Sequence, residues 1–383
     1  MPLAMTRRQW LLSTGTAAAG LTLRPFLRDG VVKGSSPTVS GDGVVRAKLD
    51  NNENPYGPSE RARRAIVEAL NEGCRYPGPQ WKELEEMIAK KEGVSPDHVL
   101  LGSGSSEILR MAAMAYGPQG GELLTAYPTY EGLENAARTV GGYVHRVPLD
   151  KNMAHDLDEM DRRTTQAVRL VFVCNPNNPT GTIIPADRLR AFCREVSRRT
   201  VVFVDEAYYE YVEAPEYGSM IDLVREGHNV IVSRTFSKIH GLAGLRIGYA
   251  FARPDIVARL RQFRTTYSIN VLGVRAALAS YQDVEFQAFS RRKNAEGREA
   301  LYRLLETLGY RYVPSHTNFV FFHLKHELQP FRELMQKQGI LVARLFPPYT
   351  DWCRVSIGTP EEMRAFAEAL RDFTLQQKAA ARK

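Results

Sequence analysis

Through the middle of this chain, short apolar runs alternate with stretches whose apolar residues recur at helical spacing. The runs at 99–101, 122–125, 170–174, 201–204, 230–233 and 247–251 leave almost no polar face, so each predicts a strand covered on both sides. Ahead of them, residues 58–71 read as a helix, with Pro58 near its first turn, Ile66, Ala69 and Leu70 sharing a face and Gly73 beyond its end. Trp81, Leu84, Met87 and Ile88 mark a second, which Gly93 stops. Buried strands separated by helices predict an α/β fold: a large domain, residues 75–280, with a mostly parallel sheet covered by helices.

Beyond residue 281 the texture changes. A long charged helical pattern runs to 308, strands follow near 318–323, 341–344 and 354–357, and Thr359, Pro360, Glu361 and Glu362 signal the start of a last helix. These elements predict a smaller α+β domain, formed by 46–74 and 281–378, with 379–383 as a tail. No internal repeat is evident.

With 383 residues, 44% hydrophobic and 25% charged, the chain has the make-up of an ordinary globular enzyme. Lys and Arg outnumber Asp and Glu by 51 to 43, a formal charge of +8, yet they are scattered among acids apart from short clusters such as Arg61, Arg63 and Arg64. No zinc-finger, RRM or helix-turn-helix pattern accompanies them, so no nucleic-acid partner is expected. Cys74, Cys174, Cys193 and Cys353 stand far apart, with no CxxC and no histidine at ligand spacing. Neither a metal site nor a disulfide framework is expected.

The first 29 residues carry Arg7 and Arg8, an apolar run at 10–23 and small residues at 17–19, the pattern of a twin-arginine export signal. The run is too short and too rich in Ser, Thr and Gly to span a bilayer, so membrane contact is expected only in transit to the periplasm. The alternative is a cytoplasmic protein with a basic arm, or one that starts at Met5. Residues 30–45, rich in Gly, Ser and Pro, read as a linker.

Ligands of doubly wound sheets bind beyond the carboxyl ends of the strands, which directs attention to the residues after each run. Asn175, Asn177 and Asn178 follow the third run, where Pro176 and Pro179 would equally suit a tight turn. Asp205 and Glu206 follow four apolar residues, where a buried carboxylate needs a cationic partner. After the fifth run come Thr235, Ser237, Lys238 and Arg246, with Gly241, Gly244 and Gly248 allowing close backbone approach. Hydroxyls with an arginine suit a phosphate, and a lysine can serve as nucleophile.

In this order and spacing, NPNNPTG (175–181), DEAY (205–208) and TFSK (235–238) followed eight residues later by Arg246 resemble the class I/II, fold-type I pyridoxal-phosphate aminotransferases. NENPYG (52–57), RYPGPQ (75–80), GSGSSEIL (102–109), YPTY (127–130) and CRVSIGTPEE (353–362) extend the resemblance over about 46–378, closest to the histidinol-phosphate aminotransferase branch.

The resemblance implies pyridoxal 5′-phosphate as cofactor and Lys238, Asp205 and Tyr208 as catalytic residues. Lys238 would bond the cofactor aldehyde and, once freed, move the substrate proton. Asp205 would pair with the ring nitrogen, Asn178 and Tyr208 would bind the ring oxygen, and Tyr130 would stack on the ring face. Ser105 and Ser106 backbone N–H groups, Thr235, Ser237 and Arg246 would form the phosphate cup. Tyr76, from the RYP motif, would reach the phosphate of a neighbouring subunit, which implies a homodimer. Arg354 matches the carboxylate-binding arginine, Arg344 would hold a second anionic group, and Tyr56 would be a pocket wall. Asn178 is a substrate contact as well.

The implied reaction is transamination between an amino donor and a 2-oxo acid such as 2-oxoglutarate, with a histidinol-phosphate-like amino alcohol phosphate as the nearest amine. That amine has a phosphate and no α-carboxylate, so the same arginines must serve two kinds of anion. The stretch at 341–356, with aromatics and prolines between Arg344 and Arg354, departs from a simple assignment, and an export signal fits poorly with cytosolic histidine biosynthesis. Lys238 and Asp205 are common to other pyridoxal enzymes, so a lyase or oxidase of an amino acid in secondary metabolism is the alternative.

Overall fold

The structure is a computed structural model that describes residues 39–40, 43–118 and 120–380. The export-type segment, most of the linker and the last three residues of the tail lie outside the described residues.

Seven strands form the central sheet: β2 (Val99–Gly102), β3 (Glu122–Tyr127), β4 (Tyr143–Pro148), β5 (Val168–Cys174), β6 (Val201–Asp205), β7 (Val230–Thr235) and β8 (Gly248–Phe251), after a short β1 (Ala47–Leu49) elsewhere. Their spatial order is β2-β8-β7-β6-β5-β3-β4. Neighbours from β4 to β7 are parallel, while β8 runs antiparallel to both β2 and β7. Alternation along the strands explains the all-apolar runs. Val171, Val173, Val202, Val204, Val230 and Val232 enter the core on one face, and Leu170, Phe172, Phe203 and Ile231 enter the core on the other.

One strand of this central sheet escaped the sequence reading. In β4, at the sheet edge, only Val144 and Val147 are buried and the other four positions are partly or wholly exposed, so no apolar run marks it. The first helix also differs: it spans Glu60–Glu68, because Ser59 caps it through Oγ on the Ala62 N–H at 3.1 Å, and a 3-10 turn at Leu70–Cys74 follows.

The C-terminal part has its own core around Phe322, Phe331, Val355, Phe366 and Leu370. There β9 (Arg311–Val313), β10 (Phe319–His323) and β12 (Trp352–Ser356) form an antiparallel sheet, and β11 (Ile340–Val342) pairs in parallel with β1. The helix Pro360–Ala380 starts as expected, with a reciprocal cap in which Thr359 N–H donates to Glu362 at 2.8 Å and Glu362 N–H donates to Thr359 Oγ1 at 3.3 Å. Of the segment 46–74, β1 belongs with this core. Ala62 of the first helix instead packs in the core of the large sheet. Among the described residues no helix is long and apolar enough to cross a membrane.

Candidate active site

A cleft of about 600 Å³ opens beyond the carboxyl ends of the parallel strands. Five strands of the sheet deliver elements of its lining. Ser105 and Ser106 begin the helix Ser105–Tyr116 after β2, Tyr130 follows β3, Asn178 follows β5, Asp205 ends β6, and Thr235 ends β7, with Ser237 and Lys238 next. Arg344 and Arg354 line it from the C-terminal part.

Lys238 Nζ donates to the carbonyls of Asn51 at 3.2 Å and Asn52 at 3.1 Å. Burial, with Arg354 acting the same way, lowers its ammonium from 10.5 to about 8, against the opposing pull of Glu53 and Asp205. Asp205 is 1% exposed and accepts from Ser233 Oγ at 2.8 Å. Burial raises its carboxyl to about 6 despite the Ser233 hydroxyl, the Ala207 N–H and Lys238. Tyr208 OH accepts from Asn52 Nδ2 at 2.9 Å, and burial pushes its phenol up. Tyr130 is likewise pushed up by burial, which its hydrogen bond with Ser106 opposes.

The adjacent carboxylates have separate fates. Glu206 turns away from the cleft to a buried Arg234, which lies 3.0 Å from it and 2.7 Å from Glu92. The cation expected for the Asp205–Glu206 pair is therefore Arg234 for Glu206, while Asp205 faces the cleft.

An anion cradle closes one end of the cleft. Arg246, held in the left-handed region at φ 55, donates to Ser237 Oγ at 3.3 Å and to the Ala243 carbonyl at 2.9 Å, and Ser237 N–H donates to Thr235 Oγ1 at 3.0 Å. Two glycines make room for it: a Cβ on Gly104 would fall 2.2 Å from Arg246 Nη2, and one on Gly248 would fall 2.2 Å from Ser105 N. Gly241, at φ +69, lets the lysine loop meet the Gly57 carbonyl, where a Cβ would lie 2.2 Å away. Gly244, expected to serve a close approach too, has open space instead. Gly248→Ala is expected to cost about 1–3 kcal/mol, since backbone blocks the new methyl group. Gly244→Ala should stay within about 0.5 kcal/mol of the wild type; thermal unfolding of the two variants checks the contrast.

Arg354, 7% exposed, donates to Asn178 Oδ1 at 2.6 Å and to the Asp50 carbonyl at 2.5 Å. Its Nε is buried without a partner, and burial draws the guanidinium down to about 10. Arg344 is half exposed and pairs with Glu131.

The profile of the family "Aminotransferase class I and II" matches residues 46–370. The chain belongs to this family. It is 42% identical over 328 residues to the histidinol-phosphate aminotransferase of Moorella thermoacetica, covering 85% of each chain. With that of Caldicellulosiruptor saccharolyticus it shares 37% over 328 residues, 85% of this chain and 91% of the other. Among solved structures, the histidinol-phosphate aminotransferase from Sinorhizobium meliloti in complex with pyridoxal-5′-phosphate superposes with a TM-score of 0.80 at 28% identity, covering 86% of this chain and 92% of that one.

The protein is thus a pyridoxal-phosphate-dependent aminotransferase of fold-type I. Its cleft suits such a cofactor: the glycine-cleared cradle fits a phosphate, and the same cleft is lined by a buried carboxylate and a lysine of lowered basicity.

Two of the residues named from sequence do not line this aminotransferase's cleft. Tyr56 meets Phe289 edge-on at 5.1 Å beside the helix Val284–Leu308, so it is no wall of the cleft within one chain. Tyr76, 73% exposed, stacks on exposed Tyr267 at 4.0 Å. Conversely, Asp50, Asn52, Glu53, Thr129, Arg332 and Phe346 line the cleft without having been singled out. Asn52 and Glu53 lie within the NENPYG motif, a usable signal, whereas nothing around Arg332 marks it.

Proposed function

We propose that this aminotransferase exchanges an amino group between an anionic amine, an amino acid or a histidinol-phosphate-like amino alcohol phosphate, and a 2-oxo acid such as 2-oxoglutarate. The observation that carries this reading is the concentration of guanidinium groups in the cleft that Asp205 also lines: Arg354, Arg344 and Arg332. A guanidinium fork grips either a carboxylate or a phosphate in two bonds. The relatives named above act, by their names, on an amino alcohol phosphate.

In this reading the Ser105 and Ser106 N–H groups at the start of a twelve-residue helix, Thr235, Ser237 and Arg246 hold the cofactor phosphate. Asp205 holds the ring nitrogen, Asn178 and Tyr208 the ring oxygen, and Tyr130 the ring face. Bound there, the cofactor supplies an aldehyde carbon and an electron-withdrawing ring. Lys238 moves the proton at the substrate's α-carbon, and a basicity near 8 lets it both take and return that proton close to neutral pH. Arg354 binds the substrate anion, and Arg344 is released from Glu131 when a second anionic group arrives.

Arg354→Lys keeps the charge and loses the fork. KM for glutamate and for histidinol phosphate is expected to rise about 10–100-fold, with a smaller change in kcat. Steady-state kinetics with both donors, alongside a neutral amino acid, provides the check; unchanged KM for both anions would remove the arginine from the substrate site. Restoration of histidine-independent growth by this enzyme alone, in a strain lacking its aminotransferase, would place it in histidine synthesis rather than in a secondary role.

The working unit in this proposal is a homodimer, with exposed Tyr76 reaching the partner's phosphate cup. A single-subunit mass for the active enzyme in sedimentation would refute it. Export is proposed from Arg7, Arg8 and the run behind them; only uncleaved protein in the cytosolic fraction would refute that.

A further inference from the structure

Two loops meet behind the cleft, one carrying Tyr130 after β3 and one carrying Asn178 after β5. Between them lies Asn177, 1% exposed, with every bonding position of its amide occupied. Its Oδ1 accepts from Thr129 Oγ1 at 2.7 Å and lies 3.1 Å from His155 Nε2. Its Nδ2 donates to Thr180 Oγ1 at 2.9 Å and to the Pro128 carbonyl at 3.3 Å. An amide oxygen only accepts, so His155 carries its proton on Nε2.

That tautomer leaves Nδ1 as a bare acceptor, and Nδ1 is buried without a partner. Burial also pulls the imidazole down to about 4, so the ring is neutral at working pH. An apolar ring would fill this space without the cost of an unpaired nitrogen. What the imidazole adds is its Nε2–H, which falls on Asn177 Oδ1 at 3.1 Å and, at the longer 3.4 Å, on Thr129 Oγ1, the other donor to that oxygen. The turn that presents it is itself tied down: Asp150 Oδ1 accepts from the N–H groups of Asn152 at 2.8 Å and Ala154 at 2.9 Å, and Thr182 Oγ1 donates to the Met153 carbonyl at 2.9 Å.

We propose that His155 and Asn177, with Thr129, form a clamp that sets where Tyr130 and Asn178 meet the cofactor, each being the next residue along from a clamped position. His155 and Asn177 are positioning residues, since neither lines the cleft. The inference rests on the proposed placement of the cofactor between Tyr130 and Asn178.

The test uses the full-length holoenzyme and three variants. His155→Phe and Thr129→Val each remove one donor to Asn177, and both are expected to raise the Kd for pyridoxal phosphate about tenfold and to reduce the visible circular dichroism per bound cofactor. His155→Gln keeps an N–H donor near the Nε2 position and should recover most of both signals. If His155→Phe does not fold, Thr129→Val carries the test. Wild-type Kd and dichroism in the variants that fold, with only a lower thermal midpoint, would overturn the clamp. Asn178→Ala separates the two levels of the argument: if it too leaves Kd and dichroism unchanged, the cofactor placement fails rather than the clamp.

Discussion

Lys238→Ala is expected to lower kcat for transamination by about 10²–10⁴-fold, the range associated with losing a positioned acid–base group. The reason lies in its surroundings. Nζ is tethered to the Asn51 and Asn52 carbonyls, close enough to Asp205 and Arg354 for both charges to act on it, and burial holds its ammonium near 8. Among the described residues no other lysine lines the cleft to take its place. The purified variant should also lose the visible band that reports covalent attachment of the cofactor, while a band from loosely held cofactor remains. Turnover within a factor of two of wild type would remove Lys238 from the chemistry. A second signature is independent of turnover. A lysine whose folded value, about 8, lies below its unfolded 10.5 penalises the apoenzyme fully below pH 8, and the penalty fades as pH rises to 10.5. Apo Lys238→Met should therefore exceed the wild type in stability at pH 7 and converge with it near pH 10.5.

With the cofactor placed as proposed, Asp205→Asn is expected to lower kcat about 10²–10³-fold, because the preorganised carboxylate meant for the ring nitrogen is exchanged for a neutral amide of the same shape. Its stability signature runs in the opposite direction along the pH axis. The folded value, about 6, lies above the ordinary 3.8, so the penalty is absent below 3.8, grows through that window and is complete above 6. The difference corresponds to roughly 3 kcal/mol at neutral pH. Apo Asp205→Asn should therefore be the more stable protein at pH 7, with the gap closing by pH 4. Chemical denaturation of both apoenzymes across pH 4–8 provides the measurement, and equal stabilities throughout would show that Asp205 does not carry a buried charge. Both outcomes together would mark a site selected for function and not for stability.

The sheet strands best marked in the sequence are those whose two faces are both covered. In β5, β6 and β7 valines and larger residues alternate into two different cores, so burial on both sides writes itself as an uninterrupted apolar run. The strand β4, wet along much of its length, and β1 and β9, three residues each, carry no such mark. Their existence depends on a neighbour to pair with, which is a property of the assembled sheet.

The chemistry divides along the same line. Asp205, Thr235, Ser237 and Lys238 are legible because a buried strand ends just before or within their run, and the carboxyl ends of parallel strands are where a ligand can sit. Local spacing does not tell which of Asp205 and Glu206 faces that ligand. The fold decides, because successive side chains leave a strand end on opposite sides: Arg234 on β7, itself paired with Glu92 from a helix 142 residues earlier, receives Glu206, and the cleft receives Asp205. Asp50, Asn52 and Arg332 reach the cleft from far along the chain, and His155 finds Asn177 across a loop. The sequence by itself determined which residue types were available and where buried strands would release them. Only the tertiary structure decided which of them share a cavity, because desolvation, charge pairing and the hydrogen bonds that orient a side chain all depend on distances between elements that chain order does not encode.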